Sequence, residues 1–337
     1  MDKIVLLAKQ PGITSFTSLY NVKRAFNTSK VGHTGTLDNF AQGLLIVCTG
    51  RLTKLAGNIT EFDKSYKAVI SFGSETDTLD YEGQIIRQAP LPSEEMVRKA
   101  LASFVGQQEQ KPPVFSAIHV NGKRASELVR KGLEVELPAR KITVYSAQIL
   151  DMDIDSDGGV RACLIDFSVS KGTYIRCLAR DIGQACGSAA HLIGLYRTKV
   201  GNFDVKDAAG YELLPSFDIK NCQTFAAEKK IKSQADNTAL QEEIVKRARS
   251  FDEESARLCG FTILHLKDKE SQEDFYHGRP LHKSFFEEKI HITSPDQVFA
   301  IFADDGSSRS STATKRTSGW KWAQRVSGSP SRSISSM

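Results

Sequence analysis

The sequence lacks the long apolar runs and paired cysteines that mark membrane and secreted proteins. No apolar run reaches the roughly 18 residues that a membrane-spanning helix needs, and the run 4–8 is too short for the core of a signal peptide. The six cysteines are widely scattered without a C-x-x-C pair, which favours neither a disulfide framework nor a zinc site. We therefore expect a soluble, cytoplasmic protein with reduced thiols and no bound metal.

The motifs of several common enzyme classes are also absent. There is no P-loop, and Gly32, Gly35 and Gly43 lack the G-x-G-x-x-G spacing of dinucleotide-binding proteins. A hydrolase that uses Asp38 and His33 is disfavoured because there is neither a nucleophile elbow nor metal-ligand spacing. The net charge of +5, from 45 basic and 40 acidic residues, is compatible with nucleic-acid binding but too small to demonstrate it.

Length and composition divide the chain into regions. Because single cores rarely grow far beyond roughly 250–300 residues, a length of 337 residues predicts two domains. Residues 208–255 are strongly polar, and we interpret them as surface helices and connector. We include them in a first domain at 1–255. Short apolar runs between polar turns predict a small β-rich domain at 256–325. The Ser-rich residues 326–337 are expected to be disordered.

Local patterns predict a hairpin and three helices. The β-rich runs 141–152 and 160–169 flank a glycine-containing turn, which is typical of a hairpin. An apolar stripe behind Thr14 or Ser15 predicts an early helix that has one of these residues as its N-cap. Two further stripes predict helices that stop at Gly106 and Gly187.

The segment with the strongest chemical signal is 32–43, GHTGTLDNFAQG, directly before the apolar run 44–47. Its small and hydrogen-bonding residues can bring the backbone and one carboxylate, Asp38, close to a ligand. Residue chemistry alone is equally compatible with a turn-forming or capping role for Asp38. It is also compatible with His33 as an ordinary surface or hydrogen-bonded histidine.

Seven blocks along the chain resemble one family in the same order. Segment 32–43 resembles the signature of the TruB family of tRNA pseudouridine-55 synthases, although the usual Asp-Pro-Leu-Ala-Thr-Gly is here DNFAQG. The other blocks are LLAKQPGITS at 6–15, DKSYKA at 63–68, GSETDTLD at 73–80, KPPVFSA at 111–117, SKGTYIR at 170–176 and LYRTKVG at 195–201. Together they cover about residues 4 to 205.

The resemblance implies a fold of the α+β class, in which a mixed, mostly antiparallel sheet forms the pseudouridine synthase catalytic domain. A small C-terminal β-rich PUA-like domain would follow and grip the acceptor end of tRNA; DFYHGRPL at 274–281 carries this weaker similarity. The implied reaction is isomerisation of uridine 55 in the T-loop, by base flipping and without a cofactor. Because the chain begins directly at the catalytic block, we expect an enzyme that works without a guide RNA. We also expect a monomer.

The resemblance also implies roles for individual side chains. Asp38 would be the catalytic carboxylate, and the sequence leaves open whether it attacks C1′ or removes a sugar proton. Five residues would bind the substrate or support this carboxylate: His33 in the segment that intrudes into the T-loop, Tyr66 stacked on the uracil, Tyr174 and Leu195 as pocket walls, and Arg176 as the partner of Asp38.

Each of these residues also has an ordinary structural interpretation. Arg176 would otherwise be a surface ion-pair residue, and Tyr66, Tyr174 and Leu195 would be core or sheet residues. Six basic residues either follow RNA phosphates or form a solvated face: Lys123, Arg124, Arg130, Lys131, Arg140 and Lys141. The rival function is that of a tRNA-binding folding factor in which catalysis is secondary.

Overall fold

A long β-sheet and a shorter one organise the chain. In this computed structural model the described residues are 2–115, 119–120, 123–124, 128, 137–228, 237–280, 282–290, 297–303, 310–316 and 319–326. Their strands are β1 (Ile4–Lys9), β2 (Val31–Thr34), β3 (Gln42–Thr49), β4 (Lys64–Phe72), β5 (Ser74–Thr76), β6 (Ile85–Gln88), β7 (Gly106–Gln110), β8 (His119–Val120), β9 (Lys123–Arg124), β10 (Arg140–Ile154), β11 (Val160–Val169), β12 (Ala190–Val200), β13 (Phe203–Asp204), β14 (Thr262–Leu266), β15 (Val298–Ala303), β16 (Ser310–Arg316) and β17 (Gly319–Val326).

The α-helices of these residues lie mostly between the strands. They are α1 (Leu19–Ala25), α2 (Ala56–Thr60), α3 (Glu94–Ser103), α4 (Ile175–Ala185), α5 (Ile219–Glu228), α6 (Thr238–Arg247), α7 (Glu253–Leu258) and α8 (Lys269–Tyr276). Across the described ranges, no helix has both the length and the apolar character needed to cross a membrane.

The larger sheet has the strand order β1-β3-β12-β4-β11-β10-β7, with β2 beside β3 and β13 beside β12. Its pairings are antiparallel with one exception, since β12 runs parallel to β3 and places Tyr196 opposite Gln42 and Arg197 opposite Gly43. All eight residues of β3 are buried, as expected for a strand covered on both faces. The predicted mixed, mostly antiparallel sheet is confirmed.

Helices α3, α4 and α5 contribute buried side chains to one apolar cluster on this sheet. Val97 and Leu101 of α3 and Leu178 and Ile182 of α4 are buried in the cluster that contains Phe167 of β11. Burial of a side chain of this size stabilises a fold by roughly 1.5–3 kcal/mol. The cluster therefore holds the N-terminal end of α4 firmly against the sheet.

The predicted hairpin and the two later helices are confirmed. Strands β10 and β11 pair antiparallel, and the Asp155 carboxylate closes their turn by accepting the backbone N–H groups of Asp157 at 3.0 Å and Gly159 at 2.7 Å. Gly158 in this turn has a φ of +85°, a conformation that L side chains rarely adopt. Helix α3 is capped by Ser93, whose hydroxyl accepts a backbone N–H of the first turn.

The predicted N-cap of the first helix is wrong. Helix α1 begins at Leu19 with Ser18 in the N-cap position, whereas Thr14 and Ser15 lie in the turn before it. The Thr14 hydroxyl accepts the N–H of Thr17 at 3.0 Å within that turn. An apolar stripe locates the buried face of a helix but not its first hydrogen-bonded residue, which explains the error.

The polar residues 208–255 are more than a solvent-exposed connector. Ile4 of β1 and Arg249 exchange two backbone hydrogen bonds of 2.9 Å, and Ile244 of α6 is fully buried in a cluster with β1 and β3 side chains. Residues 229–236 lie outside the described residues. The helices α5 and α6 are surface helices, as expected, and one face of α6 completes the core beside β1.

The smaller sheet has the order β14-β15-β16-β17, in which β14 and β15 are parallel. It has its own apolar cluster, which includes Leu264, Phe275 and Phe299. Phe261 and Ala300 instead join a cluster with side chains of β1 and β3. The two sheets thus share buried contacts, while residues 327–337 of the predicted tail lie outside the described residues.

Candidate active site

The loop between β2 and β3 carries Asp38 and is tied down along its length. The Ser15 hydroxyl accepts the N–H of Leu37 at 2.9 Å and donates to its carbonyl at 3.1 Å. The ammonium of Lys9, itself 1% exposed, donates to the carbonyls of Asn39 at 3.1 Å and Ala41 at 2.6 Å. These anchors lie on both sides of Asp38, so the loop presents one carboxylate from a fixed backbone.

Asp38 is ion-paired with Arg176, as the sequence predicted. The distance from Nη2 of Arg176 to Oδ1 of Asp38 is 3.1 Å, and the Asp38 side chain is 33% exposed while that of Arg176 is 7% exposed. Arg176 also donates to the carbonyls of Thr78 at 2.8 Å and Phe115 at 3.1 Å. Its interpretation as a surface ion-pair residue is therefore wrong, and a fixed guanidinium holds a carboxylate that solvent can reach.

A second carboxylate shares this guanidinium. Oδ2 of Asp80 lies 3.2 Å from Nη1 of Arg176, and both side chains are buried. Burial raises the pKa of Asp80 to about 6, although hydrogen bonds from Thr78 and the charge of Arg176 act in the opposite direction. Arg176 is therefore an electrostatic bridge between an accessible carboxylate and a buried one.

Arg197 of β12 is a second buried guanidinium close to the loop. It is 2% exposed and donates to the carbonyl of Leu44 at 2.8 Å and that of Gly35 at 3.1 Å. These carbonyls lie at the two ends of the loop that carries Asp38. Burial lowers the pKa of Arg197, while its hydrogen bond with Tyr66 and the charge of Asp38 oppose this effect.

Tyr66 and His33 both lie near this arginine. Tyr66 is 8% exposed and stands directly opposite Arg197 in the pairing of β4 with β12. Burial raises the pKa of Tyr66, and the hydrogen bond from Arg197 counteracts this. His33 is half-buried, and burial followed by the charge of Arg197 lowers its pKa, so its ring is neutral at pH 7. Among the described residues its Nδ1 has no hydrogen-bond partner.

Tyr174 and Leu195, the two predicted pocket walls, lie at the start of α4 and on β12, respectively. Tyr174 is the N-cap of α4, and its backbone N–H and carbonyl bond the Gln110 side chain at 2.8 and 3.1 Å. The Arg140 guanidinium lies 5.8 Å from the centre of its ring. Leu195 is buried in the same apolar cluster as Tyr66. The core interpretation of Leu195 and the pocket interpretation are therefore both compatible with the structure.

The sequence interpretation missed three charged residues of the site: Lys9, Asp80 and Arg197. Each lies in a block that resembles the family, but none was assigned a role. For Lys9 and Arg197 the available signal was a charged residue beside an apolar run, because charged side chains are seldom fully buried without partners. Of the six basic residues expected along RNA, Arg140 and Lys141 begin β10, Lys123 and Arg124 form β9, and Arg130 and Lys131 lie outside the described residues.

Comparison with solved structures supports the fold. The chain resembles one in the crystal structure of a Cbf5-Nop10-Gar1 complex with a TM-score of 0.63 and 22% identity, covering 96% of this chain and 84% of that one. Residues 23–175 match the model of the TruB family pseudouridylate synthase N-terminal domain. The matched family model is that of a domain of the pseudouridylate synthase class.

Relatives over most of the chain narrow this class to one family. The tRNA pseudouridine synthase B of Treponema denticola is 39% identical over 304 residues, which are 84% of this chain and 85% of that protein. The tRNA pseudouridine synthase B of Borreliella burgdorferi is 41% identical over 228 residues, or 67% of this chain and 79% of that protein. The chain belongs to the TruB family.

Proposed function

We propose that this protein isomerises uridine 55 in the T-loop of tRNA to pseudouridine, with Asp38 as the catalytic carboxylate. The observation that carries the proposal is the ion pair between Asp38, one-third exposed, and the buried Arg176. A carboxylate held in this way keeps its orientation while a substrate approaches. Membership of the TruB family and relatives named tRNA pseudouridine synthase B support the reaction and the RNA class.

The reaction requires one carboxylate at the junction of sugar and base. The N1–C1′ bond breaks, the uracil rotates, the C5–C1′ bond forms, and the proton on C5 is lost while N1 gains one. No oxidant, reductant or co-substrate enters this balance, so we propose that no cofactor takes part. Asp38 either attacks C1′ or removes a sugar proton, and Arg176 stabilises the carboxylate in both cases.

The uracil would lie between Asp38 and the buried side chains behind it. Tyr66 offers a ring for stacking, while Tyr174 and Leu195 close the pocket and exclude water. Because the target base lies within a folded loop, unstacking it costs a few kcal/mol. We assign His33, half-buried and next to the loop, to the segment that enters the T-loop; its neutral ring can fill the space that the base leaves.

Contacts away from the reaction would fix the rest of the tRNA. Arg140 and Lys141 at the start of β10 can meet phosphates. We assign residues 1–255 to the catalytic domain and 256–325 to a PUA-like domain that grips the acceptor end; helix α7 spans this junction. We further propose a cytoplasmic monomer that acts without a guide RNA, with 326–337 as a disordered tail.

The decisive experiment measures pseudouridine in a T-loop minihelix, by tritium release from uracil C5, for wild type and Asp38→Asn. We expect turnover in the wild type and none in the variant, with the same affinity for RNA. Tight binding without turnover in the wild type would favour the tRNA-folding function. Turnover only after a guide RNA is added would overturn the stand-alone proposal.

A further inference from the structure

Two aromatic side chains stand in solvent at the start of α1. Phe16 is 70% exposed, more than any other large hydrophobic side chain in the described part of the chain, and Tyr20 is 42% exposed. Leu19 and Val22 of the same helix are 2% and 0% exposed and pack against β1 and β3. Phe16, in the turn before α1, and Tyr20, in the first turn of α1, are therefore both left outside the core against which the helix packs.

This aromatic pair is close to the candidate active site. Ser15, which precedes Phe16, makes both hydrogen bonds described above with Leu37, which precedes Asp38. From these bonds and the 3.8 Å spacing of consecutive Cα atoms, the Cα atoms of Phe16 and Asp38 are at most about 14 Å apart. This distance is short enough for nucleotides close to one another in a strand to reach both Asp38 and the aromatic pair.

The charge beside the aromatic pair is positive. The Lys23 ammonium lies 4.8 Å from the centre of the Phe16 ring, and α1 has Lys23 and Arg24 in its last turn without an acidic residue in its first. These two basic residues help to line an open cavity of about 280 Å³, together with Asn27, Thr28 and Ser29. Aromatic rings and cations next to one another suit a nucleobase and its phosphate.

We propose that Phe16 and Tyr20 stack a second nucleobase of the substrate RNA, beside the flipped uridine, and that the cavity at Lys23 and Arg24 receives an adjoining phosphate. This inference rests on the proposed function and adds a subsite to it. Extruding the target base leaves its neighbours without a stacking partner. An exposed aromatic ring can take that place whichever base the neighbour is. The positive charge favours RNA over an apolar protein surface as the occupant.

The affinity of wild type and variants for a T-arm stem-loop tests this subsite. Stacking on one aromatic side chain predicts that Phe16→Ala weakens binding by about 5- to 150-fold. Phe16→Leu should bind as poorly as Phe16→Ala, whereas Phe16→Trp should restore binding because it keeps a ring. Ile154→Ala removes a side chain that is 40% exposed at the far end of β10 and serves as the matched control, with unchanged binding.

Two further measurements identify the base and the phosphate. The first uses a series of stem-loops, each with one abasic nucleotide at a different position near the target uridine. One of them should bind wild type weakly, and Phe16→Ala should bind that stem-loop no more weakly than wild type does. That loss of additivity marks the stacked base. Lys23→Gln should reduce the slope of log affinity against log salt concentration by about one, since one phosphate contact is lost.

The subsite and the proposed function can fail separately. If wild type forms pseudouridine but Phe16→Ala and Tyr20→Ala bind RNA like wild type, the subsite is wrong and the function stands. If wild type binds through Phe16 without forming pseudouridine, the subsite stands and the function is wrong. If the variants alter only the sedimentation coefficient of the protein, the aromatic pair contacts a second copy of the chain, and the RNA subsite is overturned.

Discussion

Nη2 of Arg176 lies 3.1 Å from Asp38 and also donates to the carbonyl of Phe115, while Nη1 contacts Asp80 and the carbonyl of Thr78. Arg176→Lys keeps the charge but cannot reach Asp38, Asp80 and the carbonyls together. We expect kcat to fall on the order of 10²-fold, the scale of losing one preorganised electrostatic contact. Arg180→Lys, on the same helix and paired with Asp181, should have nearly wild-type kcat in the same assay.

Asp80 predicts a pH dependence of activity. Its pKa is raised to about 6, so below pH 6 it takes up a proton and Arg176 loses one charged partner. We expect the single-turnover rate of wild type to fall with an apparent pKa near 6, and Asp80→Asn to be slow without that step. A wild-type rate that is constant from pH 5 to 8 would contradict the assignment.

Thermal unfolding separates this effect from acid denaturation. Since Asp80 binds its proton more tightly in the folded than in the unfolded chain, its contribution to stability is greatest at low pH and is lost as pH rises through about 6. Protonation of Asp80 therefore does not destabilise the protein as the pH falls from 7 to 5. Activity lost in this interval at an unchanged melting temperature comes from the site.

Arg197 should matter more for turnover than for RNA affinity. Arg197→Lys retains a cation but cannot reach both Leu44 and Gly35, so one carbonyl at an end of the loop loses its donor, at a cost of about 1–3 kcal/mol. We expect reduced kcat, little change in KM and a lower urea midpoint. Lys199→Arg, an exposed position on the same strand, provides the control and should leave all three quantities unchanged.

Gly43 is needed where β3 and β12 run side by side. A Cβ there would lie 2.3 Å from the backbone oxygen of Arg197, and the residue has a φ of +112°. We expect Gly43→Ala to destabilise the fold by about 3 kcal/mol or more, measured by urea unfolding. Gly158→Ala also has a positive φ but no atom within 4 Å of its Cβ, so it should cost only about 1 kcal/mol.

His265 predicts a pH dependence of stability. Burial alone would lower its pKa, but hydrogen bonds with Glu253 and Glu288 raise it overall. Its contribution to stability is therefore complete below the unfolded value of about 6.5 and disappears as pH rises through the raised folded value. The loss in melting temperature caused by His265→Gln should be larger at pH 6 than at pH 9. Equal losses at both pH values would show that the charge is irrelevant.

Local sequence patterns predicted much of the fold. The hairpin of β10 and β11 and helices α3 and α4 were predicted because turn residues and apolar spacing act within a few residues. The N-cap of α1 was wrong because an apolar stripe does not locate the first hydrogen-bonded residue, and the buried face of α6 was missed because its partners lie far along the chain. Polar composition over 208–255 cannot show that Ile244 fills a gap beside β1.

The candidate site also has residues that the sequence identified and residues that it did not. The resemblance located Asp38 and Arg176, whose contact the structure shows, and it named the segments that contain the other residues. A charged residue beside an apolar run could have drawn attention to Lys9 and Arg197, but it could not show what they anchor, because their partners are backbone carbonyls that leave no trace in side-chain patterns. Their importance follows only from the approach of strands that are distant in sequence.

The parallel pairing of β3 with β12 determines when this protein becomes functional during its synthesis. The loop that carries Asp38 is translated early, yet Arg176 and Arg197 follow more than 130 residues later. Domains form as their last required segments leave the ribosome. A growing chain that ends before β12 exposes one side of β3 and lacks Arg197, the buried guanidinium that binds the carbonyls of Gly35 and Leu44. The candidate site therefore assembles only after β12, which ends at Val200, has been made.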